Sequence, residues 1–159
     1  MASLFERGAL AIEALKSKLK FEDFILLWAR LEVAKIFYAS GRTKAESAWG
    51  EGYLTINDFQ GVLFEEEYGI TFVDPELMAT LALYGETFLP IMLLVGFGAR
   101  IGALGLFGMT LFIQIFVYPT HFMEHALWAS ILAVVMFFGA GKISLDNVIS
   151  KKLATRNNR

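Results

Sequence analysis

Two long apolar runs dominate the pattern of hydrophobic and polar positions along this chain. Leu77–Phe97 and Ile101–Tyr118 are almost uninterrupted, and the short turn Gly98-Ala99-Arg100 joins them. At about 1.5 Å of rise per residue, each run is long enough to cross a hydrocarbon layer about 30 Å thick. The pattern predicts a helical hairpin that spans a membrane. Two further runs extend it. Residues 21–41 are largely apolar but are interrupted by Arg30, Glu32 and Lys35. Polar groups inside a span are costly and face protein or a water-filled cavity, so this segment reads as a span turned inward. Residues 121–139 follow the break at Pro119 and end at Gly139-Ala140-Gly141. The expected fold is all-α, a polytopic membrane four-helix bundle forming one domain over 1–159. Its spans are at about 21–41, 77–97, 101–118 and 121–139.

The polar stretches fill in the rest. In residues 4–20, Leu4, Phe5, Gly8, Ile12, Leu15 and Leu19 share one helical stripe, with Glu6, Arg7, Glu13, Lys16 and Lys20 off it. That predicts an N-terminal amphipathic helix over 1–20 lying in the membrane interface. Residues 42–76 form a long acidic connection with scattered aromatics (Trp49, Tyr53, Phe59, Phe64, Tyr68), expected to pack on the bundle or rest at headgroup level. Residues 140–159 form a basic tail in which Ser144 can cap a short helix over 145–153.

Composition sharpens this reading. The chain is 56% hydrophobic and 19% charged, which leaves too little polar surface for a soluble domain of this size. It has no cysteine, which removes disulfides, thiolate metal sites, iron–sulfur ligation and thiol redox chemistry together. A net charge of −2 gives no reason to expect nucleic acid. No cleaved targeting segment is evident near the start. Four spans put both termini on one side. Ten Lys/Arg lie on that side, counting Arg100, against Arg42 and Lys44 on the other. The positive-inside bias then predicts cytoplasmic termini and an external acidic loop.

The chemistry concentrates on a few polar residues. Arg30 lies eleven residues before Gly41, and Glu86 eleven after Pro75. Counted from the outer face, both fall near mid-bilayer, which predicts a buried Arg30–Glu86 ion pair, either a packing lock or part of a ligand or proton path. Glu32 and Lys35 share a helix face and are expected to pair. His121, Glu124 and His125 form H-x-x-E-H, with both imidazoles at i, i+4. The spacing suits a metal, but no motif supplies a third ligand, and interfacial or headgroup-binding roles are the simpler expectation. Lys35, Tyr38 and Gln114 fall in the same outer third, so these six residues could form a polar vestibule under the acidic loop. Gly98, Gly102, Gly105 and Gly108 offer small surfaces for close helix packing.

These residues resemble the DoxX family of small four-helix bacterial membrane proteins. The matching elements are Phe64-Glu-Glu-Glu-Tyr68, Glu86-x-x-x-Pro90, Gly96-Phe97-x-x-Arg100, Met109, Tyr118-Pro119, His125-x-x-Trp128 and Gly139-x-Gly141-Lys142-x-Ser144-Leu145-Asp146. The resemblance spans about residues 24–150. It implies the bacterial inner membrane and a quinone-linked redox or envelope- and metal-stress setting, and it assigns no catalytic residue. The leading expectation is an accessory subunit that binds a quinone-like ligand, or a partner, in its polar outer half. Partners would be the lipid bilayer and other membrane or redox subunits, or further copies of the chain. The alternatives are a small transporter or channel with buried charges lining a path, and a quinol-linked oxidoreductase subunit.

Overall fold

A computed structural model describes residues 19–157. The expected interfacial helix over 1–20 lies almost wholly outside the described residues. Helix α1 spans Phe21–Lys44, α2 is the short turn Phe59–Val62 continued by a π-helical turn Leu63–Glu67, and α3 spans Pro75–Val95. Helix α4 spans Ala99–Phe112 and continues as a π-helical turn Ile113–Val117, α5 spans Phe122–Phe138, and α6 spans Leu145–Asn157. No strand forms among the described residues. α1 packs on α3, α3 on α4, α4 on α5, and α5 back on α1, which closes a ring of four helices.

Local chemistry sets the helix ends. Asp74 caps α3 by accepting the Leu77 N–H at 2.7 Å, and Pro75 takes the first helical position, where no N–H is needed. Gly96 ends α3 in the left-handed region at φ 66°, with Phe97 N–H bonded to Met92 O and Gly96 N–H to Leu93 O, a Schellman arrangement. Helix α1 has Glu22 and Asp23 in its first turn and Arg42 and Lys44 in its last, which complements its dipole.

Each helix buries one stripe. On α1 this is Arg30, Val33, Ala34, Phe37 and Gly41; on α3 it is Ala79, Leu83, Glu86, Thr87, Pro90 and Leu93. The core gathers Val33, Phe37, Leu93, Leu106, Leu132 and Val135 with the small residues Ala34, Ala99 and Ala103. The opposite faces are strongly apolar yet exposed: Leu81, Phe88, Leu104, Leu127 and Phe137 are each at least half accessible. Against lipid, burying more apolar surface between helices gains little, so close packing of small residues holds such a ring together. Gly102 shows this, since a Cβ there would stand 2.7 Å from Leu93 Cδ1 and 3.1 Å from Leu89 O. By length and composition, α3 and the α4–π segment Ala99–Val117 can each cross a membrane, while α5 is apolar but shorter.

The end of the ring that carries the α3–α4 turn is sewn together by polar groups. The Asp146 carboxylate accepts Gly98 N–H at 2.9 Å and Ala99 N–H at 3.2 Å, capping α4 from another element, and Asp146 N–H donates to Gly96 O. Asp23 accepts Lys142 N–H at 2.9 Å. Arg30, fully buried, donates to Leu93 O at 3.0 Å and Ile143 O at 2.6 Å. Ser144 receives Asn147 N–H, the expected cap, although α6 runs on to Asn157.

At the other end, residues 45–74 fold back onto the ring. Ala45 and Ile56 form an isolated antiparallel bridge, with a turn through Gly50 and Gly52 at positive φ. Phe64 and Ile70 are buried against Ala79 and the half-buried Met78, Phe112 and Val117. This is the packed arrangement of the loop.

Candidate functional site

Beneath that loop the four helices enclose a cavity of about 490 Å³. Its walls are mostly apolar, drawn from Ile36 and Phe37 on α1, Met78, Leu81 and Ala82 on α3, Met109, Phe112 and Ile113 on the α4 segment, and Trp128 on α5. Polar groups are confined to two poles and to the loop side.

The first pole is Lys44–Glu86. Lys44 Nζ stands 2.7 Å from Glu86 Oε2, with side chains only 12% and 3% exposed. Lys44 also donates to Ser40 Oγ at 3.1 Å, which the i, i+4 spacing on α1 makes possible. Two backbone features bring the helices together here. A Cβ on Gly41 would lie 3.0 Å from the Glu86 backbone, so only glycine lets α1 approach this closely. Pro90 has no N–H, so the Glu86 carbonyl, four residues earlier, lacks its helical partner.

The second pole is His125, 5% exposed on α5. Its Nδ1 lies 2.7 Å from Gln114 Oε1, while Gln114 Nε2 donates to Pro119 O at 2.7 Å. Gln114 sits in the π-helical turn before Pro119. The His125 ring lies 5.1 Å from the Trp128 ring, which in turn meets Phe37 edge-on.

The loop side is aromatic. Phe64, Tyr68 and Tyr118 line the cavity, with Tyr68 edge-on to both of the others. Burial, then the Tyr118 contact, holds the Tyr68 phenol well above its ordinary pKa. Nearby, Arg42 stacks on the Tyr53 ring at 3.8 Å, donates to Tyr53 O at 2.7 Å, and bonds Thr87 Oγ1. Tyr38 and Tyr53 share a hydroxyl contact of 2.6 Å. Burial and that contact raise the Tyr53 pKa.

This geometry revises the expected ion pair. Arg30 and Glu86 do not meet: Arg30 binds two carbonyls near the α3–α4 turn, and Glu86 pairs with Lys44 at the loop end. The reason is side-chain direction. Helical side chains lean toward their own N-terminus. On antiparallel α1 and α3, Arg30 and Glu86 therefore lean apart, whereas Lys44 and Glu86 lean together. The depth count also erred, because Glu86 stands level with Gly41. Glu32 and Lys35 form no ion pair either; Lys35 is exposed.

Of the six expected vestibule residues, His125 lines the cavity and Gln114 supports it from behind. Tyr38 belongs to the Arg42 cluster. Lys35, His121 and Glu124 are exposed and lie outside the cavity wall. The His121 and His125 rings are 6.2 Å apart, and no group of three or more His, Asp or Glu side chains able to hold a metal ion forms among the described residues. Sequence reasoning missed Lys44, Ser40, Tyr68 and Tyr118 as site residues. The Ser40-x-x-x-Lys44 spacing at the end of the first run was the available signal; nothing local ties Tyr68 or Tyr118 to a cavity.

Neither a curated protein nor a solved structure matches the chain. A family model, DoxX, matches residues 25–119. Together with the apolar helices, that match points to a membrane protein. The matched segment holds every element that walls the cavity except α5, and the chain belongs to the DoxX family.

Proposed function

We propose that this protein is a four-span accessory subunit of the bacterial inner membrane that holds a quinone-like amphiphile in its central cavity. Both termini face the cytoplasm and the 42–76 loop faces outward. The observation that carries the reading is the cavity: an apolar body of about 490 Å³ with the buried His125, held by Gln114, on one wall and Lys44–Glu86 on another. Ligand sites of this size are mostly apolar with a few placed polar groups, and a ring-and-chain molecule matches that division. The setting is a quinone-linked redox or envelope-stress system, with other membrane subunits or further copies of this chain as partners. The test is mass spectrometry of the intact purified protein and of its organic extract. A bound quinone-like molecule, recovered as the quinone or its hydroquinone, is expected in the wild type, and its content is expected to fall at least tenfold in His125→Ala. Equal content in both would remove His125 from the site.

A second reading, a small transporter, draws on one observation: the Lys44–Glu86 pair lines the cavity rather than the dry core. Proteoliposome flux separates the two, since an accessory subunit carries no solute across.

A further inference from the structure

The polar atoms at the His125 pole say more about the ligand than its size does. The Gln114 amide is oriented by its own bond, because a carbonyl can only accept and Gln114 therefore turns its NH₂ to Pro119 O. Its Oε1 is left toward His125, and that oxygen also can only accept. The hydrogen between them accordingly sits on His125 Nδ1. The other ring nitrogen, Nε2, is then a bare acceptor in the neutral ring. It has no hydrogen-bond partner among the described residues, on a side chain 95% buried that faces the cavity. An acceptor reachable from a mostly apolar cavity favours a ligand that can donate to it. Ketone oxygens of a quinone cannot donate; a phenol or hydroquinone hydroxyl can.

The mouth of the cavity identifies the phase the ligand comes from. Among the cavity-lining residues, Leu81 on α3, Gly108 on α4 and Tyr118 are exposed. Tyr118 lies at the loop side, edge-on to Tyr68 beside the buried Phe64. Leu81 and Gly108 instead line the cavity from the neighbouring helices α3 and α4, and a Cβ on Gly108 would meet nothing within 4 Å. The surface around the α3–α4 seam is apolar, with Leu77, Phe88, Leu104 and Leu111 all exposed. A solute from water would have to cross that surface; a molecule dissolved in the bilayer already lies on it.

We infer that the cavity takes a membrane-dissolved amphiphile bearing a phenolic or hydroquinone hydroxyl, entering sideways through the α3–α4 seam between Leu81 and Gly108 and donating its hydroxyl to His125 Nε2. This rests on the reading of the cavity as a ligand site and narrows it to the hydroxyl-bearing form.

Trp128 in the wall supplies the readout. In a Trp28→Phe/Trp49→Phe background, both positions being well exposed, Trp128 is the remaining tryptophan. The full chain in lipid vesicles is titrated with a brominated long-chain alkylphenol, a tryptophan quencher, and with its methyl ether. The phenol is expected to bind at least tenfold tighter than the ether, and His125→Ala to abolish that difference while leaving ether binding within threefold. Gly108→Leu adds side chain only at the mouth and improves helix propensity, so it folds. It is expected to slow entry and exit of the phenol together, by fivefold or more, when vesicles preloaded with phenol are mixed with vesicles carrying the protein. Equal binding of phenol and ether overturns the hydroxyl assignment. Unchanged rates in Gly108→Leu, or weaker binding without slower entry, overturn the seam. No Trp128 quenching by either compound in the wild type overturns the ligand-site reading itself, an outcome distinct from the other two.

Discussion

Lys44 and Glu86 set the stakes at the scale of single residues. Both are largely withdrawn from solvent, and removing one partner strands the other. Breaking a buried pair costs on the order of 3–5 kcal/mol, while an apolar pair of similar volume is tolerated. Glu86→Ala and Lys44→Ala are each expected to lower the detergent melting temperature, and Lys44→Met/Glu86→Leu to recover most of the loss. Equal stability of all four proteins would show that the pair is hydrated. Tyr68 supplies a pH dependence. Its folded pKa is raised by burial, above an unfolded value of about 10. Its contribution to stability is therefore fully present below pH 10 and lost as pH rises toward the folded value. Melting temperature is expected to fall as pH climbs above 10, and Tyr68→Phe to flatten that slope. A slope unchanged in the variant would assign it to other groups. The sequence announced that Arg30 and Glu86 are buried, because polar side chains in apolar runs have few other places to go; His125, expected at the interface, is buried as well. It did not announce their partners, since those depend on which way each side chain leans and on how far each helix starts from the others.

Among the elements, the helices were the most legible part of the chain. Apolar runs bounded by Pro75, Pro119 and the glycine turns locate α1, α3, α4 and α5 to within a few residues. The two π-helical turns were not legible, because a single extra residue in a helix leaves no mark on hydrophobic periodicity. Nor was the bridge from Ala45 to Ile56, which joins positions with no strand-like alternation around them. Gly96 shows how an element end is tied to the rest. It sits at φ 66°, and a Cβ there would run into Arg30 Nη1 and approach Ser144 Cβ at 2.6 Å. Gly96→Ala is expected to cost at least about 2 kcal/mol, from left-handed strain and from the displaced guanidinium. Gly50→Ala serves as the control, since Gly50 has φ 75° but nothing within 4 Å of a Cβ. Thermal unfolding of the two variants separates strain from displacement, and equal losses would mean that Arg30 moves aside freely.

For the whole molecule, charge asymmetry leads to a topology that reporter fusions can check. Fusions after Arg100 and after Asn158 are expected to report cytoplasm, and a fusion at Asp58 the outside. A cytoplasmic signal from Asp58 would overturn the four-span arrangement. The cavity was the least legible feature, because its wall draws on α1, the loop, α3, the α4 segment and α5, and no stretch of sequence contains it. The bonds of Arg30 link the two ends of the chain in the order of its synthesis. The guanidinium in the first helix takes its second carbonyl from Ile143, 113 residues later. At about 5–20 residues per second, a ribosome makes that carbonyl on the order of 10 s after the arginine. Through that interval the guanidinium lacks its Ile143 acceptor. A chain terminated before Ile143 never gains it, so the polar stitch that finishes the bundle also distinguishes a completed translation product from a truncated one.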